Sequence, residues 1–126
     1  MMKKKNYKIT FALEEGYADD AKRYTLSYAG NAIKHWMEQR LAGNLPVVTG
    51  LLQQGSLFFP AVNAARKGEV TVSPTAVYYG ELTTGADLKR RNKEVKRTLE
   101  SLATHLKIYL KQESVYIVYR DVTWCI

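Results

Sequence analysis

The chain has 126 residues and a net charge of +7, with 46% hydrophobic and 11% aromatic residues. This composition is that of a folded protein and excludes a disordered chain, and the length fits a single domain, 1–126. The positive charge attracts polyanions and acidic partners in general, but it does not by itself select nucleic acid.

The single cysteine and the short apolar runs limit the chemistry and the location of the protein. Cys125 excludes an internal disulfide and a multi-cysteine zinc site, and its apolar neighbours predict a buried structural thiol. The basic start, 1–5, is not followed by the apolar run of a signal peptide. The longest apolar run, 57–62, is far too short to span a bilayer. We therefore expect a cytoplasmic protein without a membrane partner.

The first predicted element is a half-buried strand over residues 7–14. Apolar and polar residues alternate there, so that one face is apolar and the other is polar. The apolar face consists of Tyr7, Ile9, Phe11 and Leu13.

The second predicted element is a helix from about 26 to 42, where apolar residues recur at helical spacing. Thr25 or Ser27 is the expected N-cap, and Gly43 marks the expected end. Gly30 costs roughly 1 kcal/mol relative to alanine in the first turns, so a start after it is the alternative.

Residues 45–83 predict two strands joined by a loop over about 60–68. β-Branched and aromatic residues dominate the strands, and Arg66-Lys67-Gly68 marks a turn in the loop. Phe58 and Phe59 are expected to fill the core under the sheet. If they are exposed instead, they form a contact patch.

The clearest predicted helix covers residues 84–106. Thr84 opens a sequence similar to a capping box, with Asp87 in the place of the usual Glu or Gln. The last segment, 114–126, is apolar on both faces in its first half, which is typical of a central strand that is covered on both sides.

The predicted elements follow one another in the order β-α-β-β-α-β. This order predicts an α+β fold of the ferredoxin-like kind, an antiparallel sheet with two helices on one face. Many unrelated functions use this arrangement, so the order alone selects none. RNA-recognition motifs share it, but the third strand, 71–79, lacks their Lys/Arg-Gly-Phe/Tyr pattern.

A basic run covers residues 89–97, where six residues are positive and only Glu94 is negative. It lies in the first half of the predicted helix, where the macrodipole disfavours each exposed cation by roughly 0.3–1 kcal/mol. An anionic neighbour would offset this cost, whereas a simple solvated face would tolerate it. No aromatic residue is interleaved with the run, which weakens the case for nucleic acid. The candidate binding residues are Lys89, Arg90, Lys93, Lys96 and Arg97.

No enzyme motif is evident in the sequence. His35 and His105 stand outside any metal-binding or catalytic motif, and no phosphate-binding glycine loop or nucleophile elbow occurs. The acid pairs Glu14-Glu15 and Asp19-Asp20 are expected to be solvated rather than to hold a metal. Arg120-Asp121 interrupts the last strand and is either a structural ion-paired feature or part of a site.

The leading interpretation is a small non-enzymatic binding or regulatory protein, of the kind that phages and plasmids encode as accessory proteins. It would act through the basic run on an acidic protein or on nucleic acid, without a cofactor or a metal. The alternative is a small oligomeric ligand-binding protein or enzyme, with a pocket lined by tyrosine and arginine that includes Tyr119, Arg120 or Asp121. A further possibility is a homo-oligomer formed through a sheet edge or an aromatic patch.

Overall fold

The strands form one five-stranded sheet in the computed structural model, which describes residues 5–15, 22–61 and 68–126. The strands are β1 (Lys5–Ala12), β2 (Leu51–Pro60), β3 (Val70–Leu82), β4 (Tyr116–Tyr119) and β5 (Val122–Cys125). Their order across the sheet is β2-β3-β1-β4-β5, and every neighbouring pair is antiparallel. The prediction of a single α+β domain with an antiparallel sheet is confirmed.

Three helices accompany the sheet in the described part of the chain: α1 (Leu26–Ala42), α2 (Gly85–Leu88) and α3 (Asn92–Tyr109). The prediction for α1 is confirmed at both ends. Thr25 is its N-cap, because the Thr25 hydroxyl accepts a hydrogen bond from the Tyr28 N–H at 3.0 Å. Gly43 directly follows the last turn.

The hydrophobic core lies between one face of the sheet and the two long helices. The alternation predicted for the first strand is confirmed, since its apolar face is buried, with Tyr7, Ile9, Phe11 and Leu13 at most 2% exposed. The helices contribute the buried side chains of Ile33 and Trp36 from α1 and of Val95, Leu99, Leu102 and Leu106 from α3. The other face of the sheet points away from both helices, and we call it the open face.

Two tyrosines of the core hold the segment that precedes β2. The Tyr7 hydroxyl donates to the Thr49 carbonyl at 2.5 Å, and the Tyr78 hydroxyl donates to the Val48 carbonyl at 2.9 Å. These hydrogen bonds hold the segment so close to β3 that residue 80 has no room for a side chain. A Cβ atom on Gly80 would lie 2.5 Å from the Thr49 oxygen.

The predicted helix over 84–106 is corrected, because the chain leaves the helical path at 89–91 and α3 then continues to Tyr109. Thr84 caps α2 as predicted, since its hydroxyl accepts the Asp87 N–H at 3.1 Å. The break is stabilised from outside the segment. The Lys5 ammonium donates to the carbonyls of Leu88 at 3.1 Å and of Arg90 at 2.7 Å.

The predicted final strand is corrected to a hairpin of β4 and β5. Tyr119 pairs with Val122, so Arg120 and Asp121 form the two-residue turn between the strands. Arg120 adopts a left-handed conformation, with φ at 58°. The predicted β-α-β-β-α-β order is therefore incomplete, since a short helix and a fifth, edge strand are added to it.

The ends of β2 and β3 extend beyond the rest of the sheet. β1 pairs with β3 only over 75–82, whereas β2 pairs with β3 along its whole length. We call the projecting part, 56–60 with 70–74, the arm. Phe58 lies on it and is 67% exposed, so the expectation that this ring fills the core is wrong. Phe59 is half-buried.

Cys125 is exposed, which corrects the prediction of a buried thiol. It lies on β5 opposite Tyr116 of β4. Within the residues that the structure describes, no helix is both long and apolar enough to cross a membrane. The predictions for 1–4, for the acid pair Asp19-Asp20 and for residues 66–67 of the expected turn lie outside the described residues.

Candidate ligand site

The basic run does not form one uniform surface. It spans the helix break, so its residues belong to the break and to the first turns of α3. Lys89, Lys93 and Arg97 are exposed and Lys96 is half-buried. Whether these cations bind an anionic partner stays a prediction.

Arg90 differs from the other predicted binding residues because it points inward, with its side chain 14% exposed. Its guanidinium donates two hydrogen bonds to the Glu94 carboxylate, at 2.8 and 2.7 Å, and a third to the Val47 carbonyl at 2.7 Å. Asp87 lies 3.6 Å from the same group. Arg90 therefore ties the helix break to the segment before β2, which is a structural role.

Glu94→Gln is expected to reduce the loss of stability that the protein shows when the pH becomes acidic. Hydrogen bonds from Arg90 hold the pKa of the Glu94 carboxyl below its usual value of 4.5. Because the folded pKa is depressed, the pair stabilises the protein above about pH 4.5, and this contribution is lost as the pH falls through the folded value. Denaturant unfolding between pH 6 and 3 should show a smaller loss of unfolding free energy in the variant. Glu100→Gln, on the exposed side of the same helix, is the control. An equal loss of unfolding free energy between pH 6 and 3 in both variants would contradict the prediction.

No three side chains of His, Cys, Asp or Glu gather in a metal-binding group among the residues described. His35 and His105 lie side by side between α1 and α3, with their ring centres 6.1 Å apart. Burial lowers the pKa of His105, which favours its neutral form.

Tyr119, Arg120 and Asp121 line a cavity, as the alternative interpretation expected. It measures about 70 Å³ and also contacts Asn92 and Lys96. The Tyr119 hydroxyl donates to the Asn92 side-chain oxygen at 2.8 Å. A volume of this size holds roughly two water molecules, so it is too small for an organic ligand.

A larger cavity, of about 120 Å³, lies on the open face of the sheet. Residues directly opposite each other in an antiparallel pair share a face, and the register pairs Ala12 with Thr75 and Thr10 with Tyr116. Leu57 is likewise opposite Ser73. The side chains that β1 to β4 place around the cavity are Thr10, Ala12, Leu57, Phe59, Ser73, Thr75 and Tyr116.

Gln112 closes one end of this cavity. Its side-chain oxygen accepts the Ala12 N–H at 2.9 Å, and its amide nitrogen donates to the carbonyls of Glu14 and Leu110 at 2.9 and 3.0 Å. The two donated bonds use both N–H groups of the Gln112 amide. Together, the three bonds fix the turn after α3 against the end of β1. Gln112 is therefore a rigid wall rather than a free ligand-binding group.

The cavity combines an apolar wall with hydroxyl groups and carboxylates. Ser73 and Thr75 are only 7% and 8% exposed, although they lie on the face without a helix. Glu14 and Glu113 also line the cavity, and the Glu14 carboxylate forms an ion pair with the Arg23 guanidinium at 3.1 Å. Aromatic and aliphatic surface with a few convergent polar groups is typical of small-molecule sites.

The charge of the cavity selects among ligands. Glu14 is already paired with Arg23, so Glu113 is the acid of the cavity that favours a positively charged ligand. A wider groove of about 330 Å³ between α1 and α3 has the opposite character, because Arg40 lines it and no acid does. The open-face cavity is therefore the better candidate for a positively charged ligand.

No protein-family model matches the chain, and no curated protein matches it. A solved phage SAM lyase in complex with S-methyl-5'-thioadenosine superposes with a TM-score of 0.67 at 15% identity, covering 98% of this chain and 88% of the other. The chain has the fold of a phage SAM lyase. A phage SAM lyase in the apo state superposes with a TM-score of 0.57 at 18% identity, covering 97% and 87% of the two chains.

This likeness corrects the leading sequence-based interpretation. The sequence predicts a non-enzymatic protein that acts through its basic run, but two solved structures with a similar fold are of an enzyme. The comparison instead favours the alternative, a small ligand-binding protein or enzyme.

The sequence alone does not predict the cavity, because its residues come from four strands and a turn that are distant in the chain. The strands do carry one signal of it, in the kind of side chain on the open face. The open face of a solvated sheet usually carries charged side chains, whereas Thr10, Ala12, Ser73 and Thr75 are small and uncharged. These residues distinguish this part of the face from an ordinary solvated sheet surface.

Proposed function

We propose that this protein is a lyase that cleaves S-adenosylmethionine and releases S-methyl-5'-thioadenosine. The observation that carries the proposal is the fold shared with the SAM lyase–thioadenosine complex over nearly the whole chain. The open-face cavity supports it, because its walls and its rim match the chemistry of this substrate.

The substrate has two parts that the cavity can recognise separately. The purine is apolar enough to lie against Leu57, Phe59 and Tyr116, and aromatic rings stack on a purine face. The sulfonium is a cation, and Glu113 supplies an opposite charge beside the Glu14–Arg23 ion pair. A cavity of about 120 Å³ is close to the roughly 150 Å³ that takes up benzene, so one ring enters and the rest lies across the open face.

The proposed reaction needs no nucleophile from the protein. The bond between the sulfonium sulfur and the γ-carbon of the methionine part breaks, and its electron pair stays on sulfur as a neutral thioether. The carboxylate oxygen of the same substrate forms the new bond to the γ-carbon, which closes a lactone. All atoms of the substrate are then accounted for, without water or a cofactor.

In this step the residues of the cavity position the substrate and remove water from around its charged groups. The substrate must fold so that its carboxylate approaches the γ-carbon, and a fixed wall such as Gln112 and Thr75 restricts it to that conformation. The reaction removes one positive and one negative charge. An apolar surface disfavours separated charges, so it favours the transition state in which they cancel.

The test is to incubate the purified protein with S-adenosylmethionine and to follow both products by chromatography. We expect S-methyl-5'-thioadenosine to appear in proportion to protein concentration and above the rate without protein, with an equal amount of lactone. Calorimetry should show binding of S-methyl-5'-thioadenosine. Absence of both release and binding would refute the proposal, and release of homoserine in place of the lactone would indicate attack by water.

A further inference from the structure

The chain has two histidines, and the fold brings them together on the outer side of the two long helices. His35 lies on α1 and is exposed, whereas His105 lies on α3 and is half-buried. Their ring centres are 6.1 Å apart, and the ring planes differ by 36°. The helices pack on the face of the sheet opposite the open-face cavity. The histidine pair is therefore separate from the candidate ligand site.

His105 has a ring nitrogen that the protein leaves without a partner. Its Nε2 atom is buried and has no hydrogen-bond partner among the described residues. Such an atom destabilises a folded protein, so it often indicates an ion or a water molecule that pairs with it. Burial also lowers the pKa of His105, which favours the neutral ring, and neutral imidazole is the form that binds metal ions.

The separation of the two rings fits a shared metal ion. Transition metals bind imidazole nitrogen at about 2.0–2.1 Å, which places the ion roughly 3.2 Å from the ring centre. Two rings on one tetrahedral ion then have centres about 5.2 Å apart, and two rings on opposite sides of an ion have centres about 6.4 Å apart. The observed 6.1 Å lies between these values. Both rings can therefore reach one ion by turning, without a movement of the helices.

Tyr109 supports the pair from the next turn of α3. Its ring centre lies 4.4 Å from that of His105 and 6.3 Å from that of His35. The Tyr28 hydroxyl of α1 donates to the Tyr109 carbonyl at 3.3 Å. These contacts hold α1 and α3 together beside the histidines and restrict the His105 ring, so the pair is largely arranged before an ion binds.

We propose that His35 and His105 form a binding site for a divalent transition metal ion. No third His, Cys, Asp or Glu joins them among the described residues, so water completes the coordination. Imidazole nitrogen suits Zn²⁺, Ni²⁺ and Cu²⁺, whereas Mg²⁺ and Ca²⁺ prefer oxygen, and Cu²⁺ binds such sites more tightly than the other divalent first-row ions. The ion joins α1 to α3 and stabilises their packing. This site is independent of the proposed reaction.

The test uses Cu²⁺ as the probe, with one equivalent added to the full chain. Cys125 is the only thiol, so the Cys125→Ser variant is the starting protein, which excludes a sulfur ligand. Pulsed EPR detects the nitrogens of imidazole rings that are bound to the ion. We expect one Cu²⁺ per chain with two imidazoles, and Zn²⁺ should displace it. A spectrum with one imidazole or none would overturn the proposal.

His35→Ala is the decisive variant, because His35 is exposed and its loss should leave the fold intact. It should weaken Cu²⁺ binding by roughly tenfold or more, since a single imidazole lacks the advantage of two linked ligands. Lys34→Ala, at the neighbouring exposed position of α1, is the matched control and should bind as the starting protein does. Equal affinity of the His35→Ala and Lys34→Ala variants would contradict a shared site.

Thermal unfolding gives a second readout that does not depend on EPR. Because an ion that binds only the folded chain stabilises it, Zn²⁺ should raise the melting temperature of the starting protein and of the Lys34→Ala variant. It should leave the melting temperature of the His35→Ala variant unchanged. An equal rise in all three proteins would mean that Zn²⁺ binds elsewhere, and the proposal would fail.

Discussion

Thr10→Phe is expected to abolish binding of S-methyl-5'-thioadenosine, with a loss of affinity of at least a hundredfold, or about 2.7 kcal/mol. Thr10 is half-buried on the central strand β1 and points into the open-face cavity. A phenyl ring at this position occupies most of the roughly 120 Å³ that the ligand needs. Aromatic residues are good strand formers, so the sheet itself should tolerate the change.

Lys8→Phe is the matched control for this experiment. It places the same ring on the same strand and the same face, two residues away, where Lys8 is exposed and does not line the cavity. S-methyl-5'-thioadenosine is neutral, so the lost lysine charge has little effect on its binding. Calorimetry measures the affinity of both variants for S-methyl-5'-thioadenosine, and we expect only Thr10→Phe to lose it. If Thr10→Phe binds as the unaltered protein does, the ligand lies elsewhere on the molecule.

Gly80→Ala is expected to lower the free energy of unfolding by about 3 kcal/mol, which reflects overpacking together with a lost buried hydrogen bond. The new Cβ would lie 2.5 Å from the Thr49 carbonyl oxygen and 3.0 Å from the Tyr7 hydroxyl. The nearest of these atoms belongs to the backbone, so it cannot move aside like the end of a side chain. The segment before β2 must shift, and the hydrogen bond from Tyr7 to Thr49 is weakened or lost.

Gly55→Ala provides the control for Gly80→Ala, because it lies on the same pair of strands. A Cβ at Gly55 meets nothing within 4 Å, and the residue has no positive φ. The free energy of unfolding of the Gly55→Ala variant should stay within about 0.5 kcal/mol of that of the unaltered protein. Thermal unfolding followed by circular dichroism measures both, and a drop in melting temperature of roughly 10 °C is expected for Gly80→Ala alone. Equal melting temperatures would show that the segment before β2 adapts without cost.

Local signals in the sequence predicted the elements whose ends are fixed locally. α1 begins at its Thr25 cap and ends before Gly43, and both are short-range effects. The apolar face of β1 follows from strict alternation, so its buried residues could also be predicted. These features depend on neighbours in the chain and on little else.

The failures occur where a distant part of the chain decides the local structure. The break at 89–91 depends on Lys5 and on the Arg90 contacts to Glu94 and Val47, which no local pattern reveals. The turn at Arg120-Asp121 lacks the glycine or asparagine that normally marks a two-residue hairpin. The cavity is assembled from four strands, so its residues never appear together in the sequence.

The exposed position of Cys125 makes the unaltered protein suitable for site-specific labelling. It is the only cysteine in the sequence, and β5 places it directly opposite Tyr116, which lines the open-face cavity. Side chains in such a pair are about 5 Å apart at their Cβ atoms. A thiol-reactive fluorophore would therefore attach at one known point beside the cavity, and its emission would report ligand entry without any prior substitution in the chain.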